Sequence, residues 1–268
     1  MQIIHRVSLT ATAEDREELA LIGFAVKEGL VTFEVDESHP TWNTIRDWIQ
    51  KRRAVDVIRT TFTEAEVSRA AWLVLVADWH CGYPQPDEDY LSATYDLSAY
   101  CTVCGIGAKQ RAAFRMNNEP NWRNNGILQL NWVFDEFFVK PIVWEMVFEP
   151  LGIPCRSVLN NEGAELKNVV QLTTTADEVD VVTDQLKAHR CESCGRLKYE
   201  PVVRGWFPSL RTMPGLDLAK TKQHFGSGKR SFKGVLISQR CAAKLAGTGV
   251  LGASLKPVFD ALQQQRGI

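Results

Sequence analysis

Two copies of one short motif constrain this chain more than anything else in it. Cys101-Thr102-Val103-Cys104-Gly105 and Cys191-Glu192-Ser193-Cys194-Gly195 are both CxxCG units, with 86 residues between Cys104 and Cys191. A CxxC turn sets two sulfurs on one side of a tight loop, and the glycine after it permits the positive φ that such knuckles use. One knuckle supplies half of a tetrahedron, and a second closes it. The pattern predicts one metal site held by Cys101, Cys104, Cys191 and Cys194. Zn2+ is the expected ion, because it takes four thiolates at about 2.3 Å. Four protein ligands leave no open position, so the ion is expected to be structural and to contribute to folding by closing a long loop.

Two other readings of the cysteines are weaker. A thioredoxin-like redox pair sits at a helix N-terminus after a strand and needs no second knuckle. Unrelated buried thiols would not be expected to share CxxCG twice. The seven cysteines are an odd number, and Met1–Thr10 has no charged start leading into a long apolar run. Neither a disulfide scaffold nor a secretory leader is expected, and the chain reads as cytoplasmic. His80 and His189 flank the knuckles in sequence. Either is a substitute ligand or, more commonly for such residues, a surface histidine. Cys155 and Cys241 are expected to fill apolar positions.

The chain before the first knuckle alternates short strands and helices. Strands are expected at 1–10, 30–35 and 55–62, and helices at 15–23, 41–53 and 65–77. Thr12 with Asp15 and Thr63 with Glu66 have the spacing of capping boxes. After the knuckle, strands are expected at 108–116, 127–130, 166–173, 198–203 and 254–258, with 233–237 either extended or the start of a helix. Helices are expected at 131–148 (started anew or kinked by Pro141), 175–187 (with strand as the alternative), 217–225 and 238–245. Residues 263–268 read as a polar tail. The fold class is α+β. An N-terminal β/α portion, 1–97, joins a zinc-ribbon-containing mixed portion, 98–268, with a long insertion between the knuckles; one continuous domain is the alternative.

Charge excludes some partners. Lys plus Arg total 31 against 32 Asp plus Glu. Without a global basic surface, nucleic acid and anionic membranes are unlikely partners, and no apolar window is long and uncharged enough to span a bilayer. A nucleic-acid-binding ribbon would need Lys51–Arg53, Lys229-Arg230 and Lys233 to converge. Catalytic signatures also fail. Gly226-Ser227-Gly228-Lys229 lacks the first glycine and the final Ser or Thr of a phosphate loop, since Gln223 and Arg230 stand there. Gly105-Ile106-Gly107 has Gln110 where a dinucleotide fingerprint needs glycine. Asp87, Glu88 and Asp89 read as a cation site or, more commonly, a solvated loop. Asp135-Glu136 reads as a buried acid pair or the polar edge of a helix. Most of the eight tryptophans are expected in helical core positions. Trp122, in a polar loop, is expected to be exposed and to suit a binding edge.

The paired CTVCG and CESCG, followed by an Ile-Ser-Gln-Arg helix (237–240) and a Leu-Lys-Pro-Val strand (255–258), resemble the bacterial double-CxxCG-motif proteins. That group includes immunity proteins, which bind and neutralise a cognate toxin. The resemblance implies Cys101, Cys104, Cys191 and Cys194 as functional residues and supplies no active site. The expected function is a non-catalytic, zinc-stabilised binding protein with a protein partner, with segments 83–96 and 117–126 as candidate surfaces. The rival is an enzyme whose cleft, between the N-terminal portion and the zinc portion, uses Asp87 and Asp89, or Asp135 and Glu136, with His80 or His224.

Overall fold

The computed structural model describes residues 1–174 and 178–260. Its α+β fold divides into two compact units. The smaller unit is Met1–Glu66 with Val202–Gly205. Strand β1 (Gln2–Ala11) lies between β2 (Gly29–Asp36) and β3 (Val55–Thr61), antiparallel to both. Helix α1 (Ala13–Leu21) begins at a capping box: the Thr12 hydroxyl accepts from the Asp15 N–H, and the Asp15 carboxylate accepts from the Thr12 N–H. Helix α2 (Trp42–Arg52) presents Ile45, Trp48 and Ile49, at three-four spacing, to Val7, Leu19 and Val35. The returning segment 202–205 is held by Thr60, whose hydroxyl donates to the Val203 carbonyl and accepts from the Gly205 N–H. The expected strands and helices of residues 1–62 stand as read.

The larger unit is Val67–Pro201 with the chain from Trp206 onward. The boundary falls at Glu66/Val67 and not at residue 97. The cause is a strand where a helix was expected. The Thr63–Glu66 capping box does form and opens α3 (Glu64–Arg69). The helix stops there, and Trp72–Ala77 is β4, bracketed by two strands of the largest sheet. A six-residue apolar run with Leu73, Val74 and Leu75 buried suits a central strand as well as a helix, and tertiary pairing decides.

The elements that follow are short: α4 (Tyr90–Thr94), β5 (Tyr95–Asp96), β6 (Lys109–Gln110), β7 (Ile127–Leu128), β8 (Phe138–Val139) and α5 (Pro141–Val143). Residues 131–148 are therefore not one amphipathic helix. Trp132 takes a left-handed φ of 69° in a turn, Phe138–Val139 pair as a strand, and Pro141 starts a fresh helical turn. Strands β9 (Cys155–Leu159) and β10 (Glu165–Leu172) complete a four-stranded sheet of order β7-β8-β10-β9. Next come β11 (Glu178–Val179), β12 (Ala188–Arg190), β13 (Leu197–Tyr199), β14 (Leu218–Phe225), β15 (Phe232–Ser238), α6 (Gln239–Gly247) and β16 (Ala253–Pro257). They build the largest sheet, ordered β12-β13-β14-β15-β4-β16, with β11 beside β14.

Two more expectations change here. Residues 178–187 hold a short strand and turns rather than a helix, while 175–177 lie outside the described residues, as does the 263–268 tail. Residues 218–225 form a strand, not a helix, because they pair along β15. The main core packs β4, β15 and α6 against Phe137–Ile153, and a second core gathers around Phe114, Phe138 and Trp122.

Candidate metal centre

Each knuckle tops a short antiparallel hairpin. Strands β5 and β6 flank the first, and β12 and β13 flank the second. Both use the same backbone. The Cys101 N–H donates to the Ile106 carbonyl at 2.9 Å, and the Gly105 N–H to the Cys101 carbonyl at 2.7 Å. In the second, Cys191 N–H meets the Arg196 carbonyl at 2.9 Å and Gly195 N–H the Cys191 carbonyl at 2.8 Å. Gly105 and Gly195 have φ of 78° and 72°, the left-handed conformation that glycine adopts without strain.

The four sulfurs converge. Cys101 Sγ lies 3.8 Å from Cys191 Sγ, Cys104 Sγ lies 3.6 Å from Cys194 Sγ, and all four lie within 4.8 Å of one another. Four sulfurs about 2.3 Å from a central tetrahedral ion stand about 3.8 Å apart, so the spacing fits a metal ion. Backbone N–H groups of Cys104 and Val103 pull the Cys101 thiol down to about 6, towards the thiolate a metal needs, while burial pushes Cys104 up to about 12. Among the described residues this is the one group of His, Cys, Asp or Glu placed to share an ion. His189 is elsewhere, its ring 3.1 Å from Glu200. Asp87, Glu88 and Asp89 are exposed, and Asp87 accepts from the Gln85 amide.

Two cations that sequence spacing did not single out brace the clamp. Arg196 Nη1 donates to the Ala99 carbonyl at 2.7 Å and the Ile106 carbonyl at 2.8 Å, lashing the second knuckle to the first. Lys198 is buried, and its Nζ donates to the carbonyls of Cys104, Gly228 and Arg230 at 2.8, 2.5 and 3.1 Å. Both positive charges stand beside the four sulfurs, where they would offset the negative charge of thiolates holding an ion. Arg196, just before β13, and Lys198, within it, stand two residues apart, the spacing that puts side chains on one side of an extended chain.

Beside the clamp lies a cavity of about 770 Å³, lined by both walls of the first hairpin, by β14 and by the 229–231 turn. Its floor is a polar lattice. Buried Glu136 accepts from Lys220 Nζ at 2.5 Å and from Gln171 Nε2 at 3.0 Å, and Gln110 and Gln171 bond each other reciprocally at 2.9 and 2.7 Å. Asp135 accepts from the Lys233 N–H at 3.0 Å. Burial pushes the Glu136 carboxyl up, which Lys220 offsets only in part. Burial pulls Lys220 down, but Asp135 and Glu136 outweigh it and raise it. His224, with Nδ1 3.0 Å from the Ser231 hydroxyl, is pulled down to about 4 by burial and then by Lys233, so it is neutral at pH 7. The structure thus brings Asp135, Glu136 and His224 to one cavity, while Asp87 and Asp89 do not line it.

Trp122 is not an exposed edge. It is buried, its indole N–H donates to the Asn168 carbonyl at 3.0 Å, and the Lys140 ammonium sits 5.7 Å from its ring. Glu119, accepting from the Lys167 and Asn168 N–H groups, pulls the 117–126 loop onto β10. The exposed aromatics are Trp132, 48% exposed, and Tyr83, 45% exposed, packed against each other at 4.5 Å. Cys241 is fully buried as expected, whereas Cys155 is only half-buried. Among the described residues no helix is long and apolar enough to cross a membrane. No family model matches the chain, and no curated protein matches it either.

Proposed function

We propose that this chain is a non-catalytic binding protein stabilised by one structural Zn2+, of the immunity type that neutralises a cognate bacterial toxin. The observation that carries the reading is the closed set of four sulfurs from Cys101, Cys104, Cys191 and Cys194. Such a set suits an ion that builds architecture and leaves no coordination site for substrate. The resemblance of the two CxxCG units to the double-CxxCG-motif proteins adds the toxin-binding role. The exposed Tyr83–Trp132 pair, with Tyr90 stacked at 6.0 Å, is the first candidate for the partner surface, since aromatic anchors dominate protein interfaces. The test is co-purification with toxin domains encoded beside this gene. A stable 1:1 complex that Trp132→Ala weakens is the expected result, and no complex with any neighbour rejects it.

One observation favours a second reading, an enzyme: Asp135, Glu136 and neutral His224 line one cavity. Perturbed groups gathered in a cleft are what acid–base chemistry uses. Turnover of any substrate that disappears in His224→Gln would establish it. The nucleic-acid reading has no such support. Lys51 and Arg52 are taken up by Glu14, Asp15 and Glu18.

A further inference from the structure

We infer that the cavity beside the clamp binds a small organic phosphate monoester carrying a planar ring. Three features of the cavity point there, and none depends on the protein-partner reading.

The first is an excess of positive charge in the lining. Of the cations lining the cavity, Lys220 pairs with Glu136 and Lys233 with Glu178. Arg156, Lys229 and Arg230 line the same space and form no ion pair among the described residues, although the Arg230 guanidinium stands 5.6 Å from the Phe134 ring; Lys109, also in the lining, lies across the β5–β6 ladder from Asp96. A multivalent anion answers such an excess better than a single carboxylate does.

The second is an orphaned donor. Arg156 stands directly opposite Gln171 in the β9–β10 ladder, so the two side chains share a sheet face and both line the cavity. Gln171 is fully satisfied by Gln110 and Glu136. Arg156 Nη1 is buried with no hydrogen-bond partner among the described residues. A buried guanidinium nitrogen left without an acceptor is costly, and an anionic oxygen in the cavity removes that cost. The fork of a guanidinium matches phosphate oxygens.

The third is an aromatic mouth. Trp132 lines the cavity, is half-exposed, and takes a left-handed φ of 69°, a conformation that a bulky side chain adopts only when the surroundings impose it. Tyr90, stacked on it at 29°, lines the cavity too. A flat ring seats on such a platform. The volume of about 770 Å³ suits a ligand of this size. The Tyr95 hydroxyl, held protonated by burial, offers a neutral donor inside.

The test is calorimetric titration of the metal-loaded full chain with phenyl phosphate, inorganic phosphate and benzoate. Phenyl phosphate is expected to saturate one site at least about tenfold more tightly than the other two. Arg156→Gln is expected to weaken it by about tenfold or more, and Trp132→Ala to bring it close to inorganic phosphate. Lys229→Gln with Arg230→Gln, which changes two exposed side chains, is expected to weaken it by a similar factor. Absence of saturable binding to the native chain overturns the inference. So does affinity unchanged in both the Arg156 and the Lys229/Arg230 variants, or benzoate bound as tightly as phenyl phosphate.

Discussion

The two knuckles share a sequence, a backbone and a φ, yet they sit in different surroundings. Cys101 and Cys104 are buried, Cys191 is half-buried and Cys194 is exposed. A Cβ on Gly105 would stand 2.1 Å from the Lys229 carbonyl, whereas one on Gly195 meets nothing within 4 Å. The first knuckle is built into the unit. The second is a hairpin tied to it by Arg196 and Lys198 and to the largest sheet by the β13–β14 pairing, with its two sulfurs placed to share an ion with the first pair. The difference teaches that two copies of one motif can divide the work: one has its cysteines and glycine packed in the interior, and the other lies at the edge of the largest sheet with its sulfurs nearer to solvent.

Removing a sulfur should expose that division most strongly. Cys104→Ser is expected to abolish metal binding and lower the unfolding free energy by more than about 4 kcal/mol, because it removes a ligand and leaves a buried hydroxyl in its place. Cys194→Ser should release the same ion at a smaller cost in stability. Elemental analysis with urea unfolding reads both, and equal losses would erase the contrast between the knuckles.

Lys198→Met comes next. It strips three carbonyls of a charged donor in a buried place, and the expected loss is about 3–4 kcal/mol. A loss no larger than that of a surface lysine would show that the other contacts hold the second hairpin without Lys198.

A pH titration probes the buried side. His224 has its pKa pulled to about 4, below the unfolded value of about 6.5, so the unfolded chain takes up the proton first. Its neutral state therefore contributes fully above about pH 6.5, and that contribution is lost as pH falls towards 4. The native chain should lose up to about 3 kcal/mol more than His224→Gln over that range. Parallel stability curves for the two chains would remove His224 from the argument.

The glycines give the smallest effect and the most direct comparison. Gly195→Ala should cost about 1 kcal/mol, the strain of a left-handed alanine. Gly105→Ala should cost at least about twice as much, since the new methyl meets the Lys229 carbonyl as well. Chemical denaturation of both variants with metal bound settles the ratio.

The four cysteines, the capping boxes at Thr12 and Thr63 and the strands of residues 1–62 were legible because local chemistry decides them. Cysteine spacing and hydrogen bonds three residues apart do not wait on the rest of the chain. Trp72–Ala77 was not legible, because an apolar run of that length fits helix or strand until β15 and β16 flank it. Leu218–Phe225 carried a readable sign, since Lys220, Lys222 and His224 recur every second residue, the period of a strand. The candidate metal ligands came from sequence in full. Lys198 did not, because nothing local tells a buried lysine from a solvated one. Arg156 did not either: its place opposite Gln171 follows from strand register. Trp122 misled because a polar loop hides the fold-back that Glu119 imposes.

Lys198 has a consequence that reaches past the clamp. Its ammonium touches the first knuckle through Cys104 and the cationic turn through Gly228 and Arg230 at once. An ion that fixes the knuckle thereby sets the position of Lys229 and Arg230 at the cavity. Thermodynamic reciprocity then runs both ways: whatever factor the ion adds to the grip on an anion, the anion adds to the grip on the ion. Removing the ion should weaken anion binding, and a filled cavity should tighten the ion's binding by the same factor.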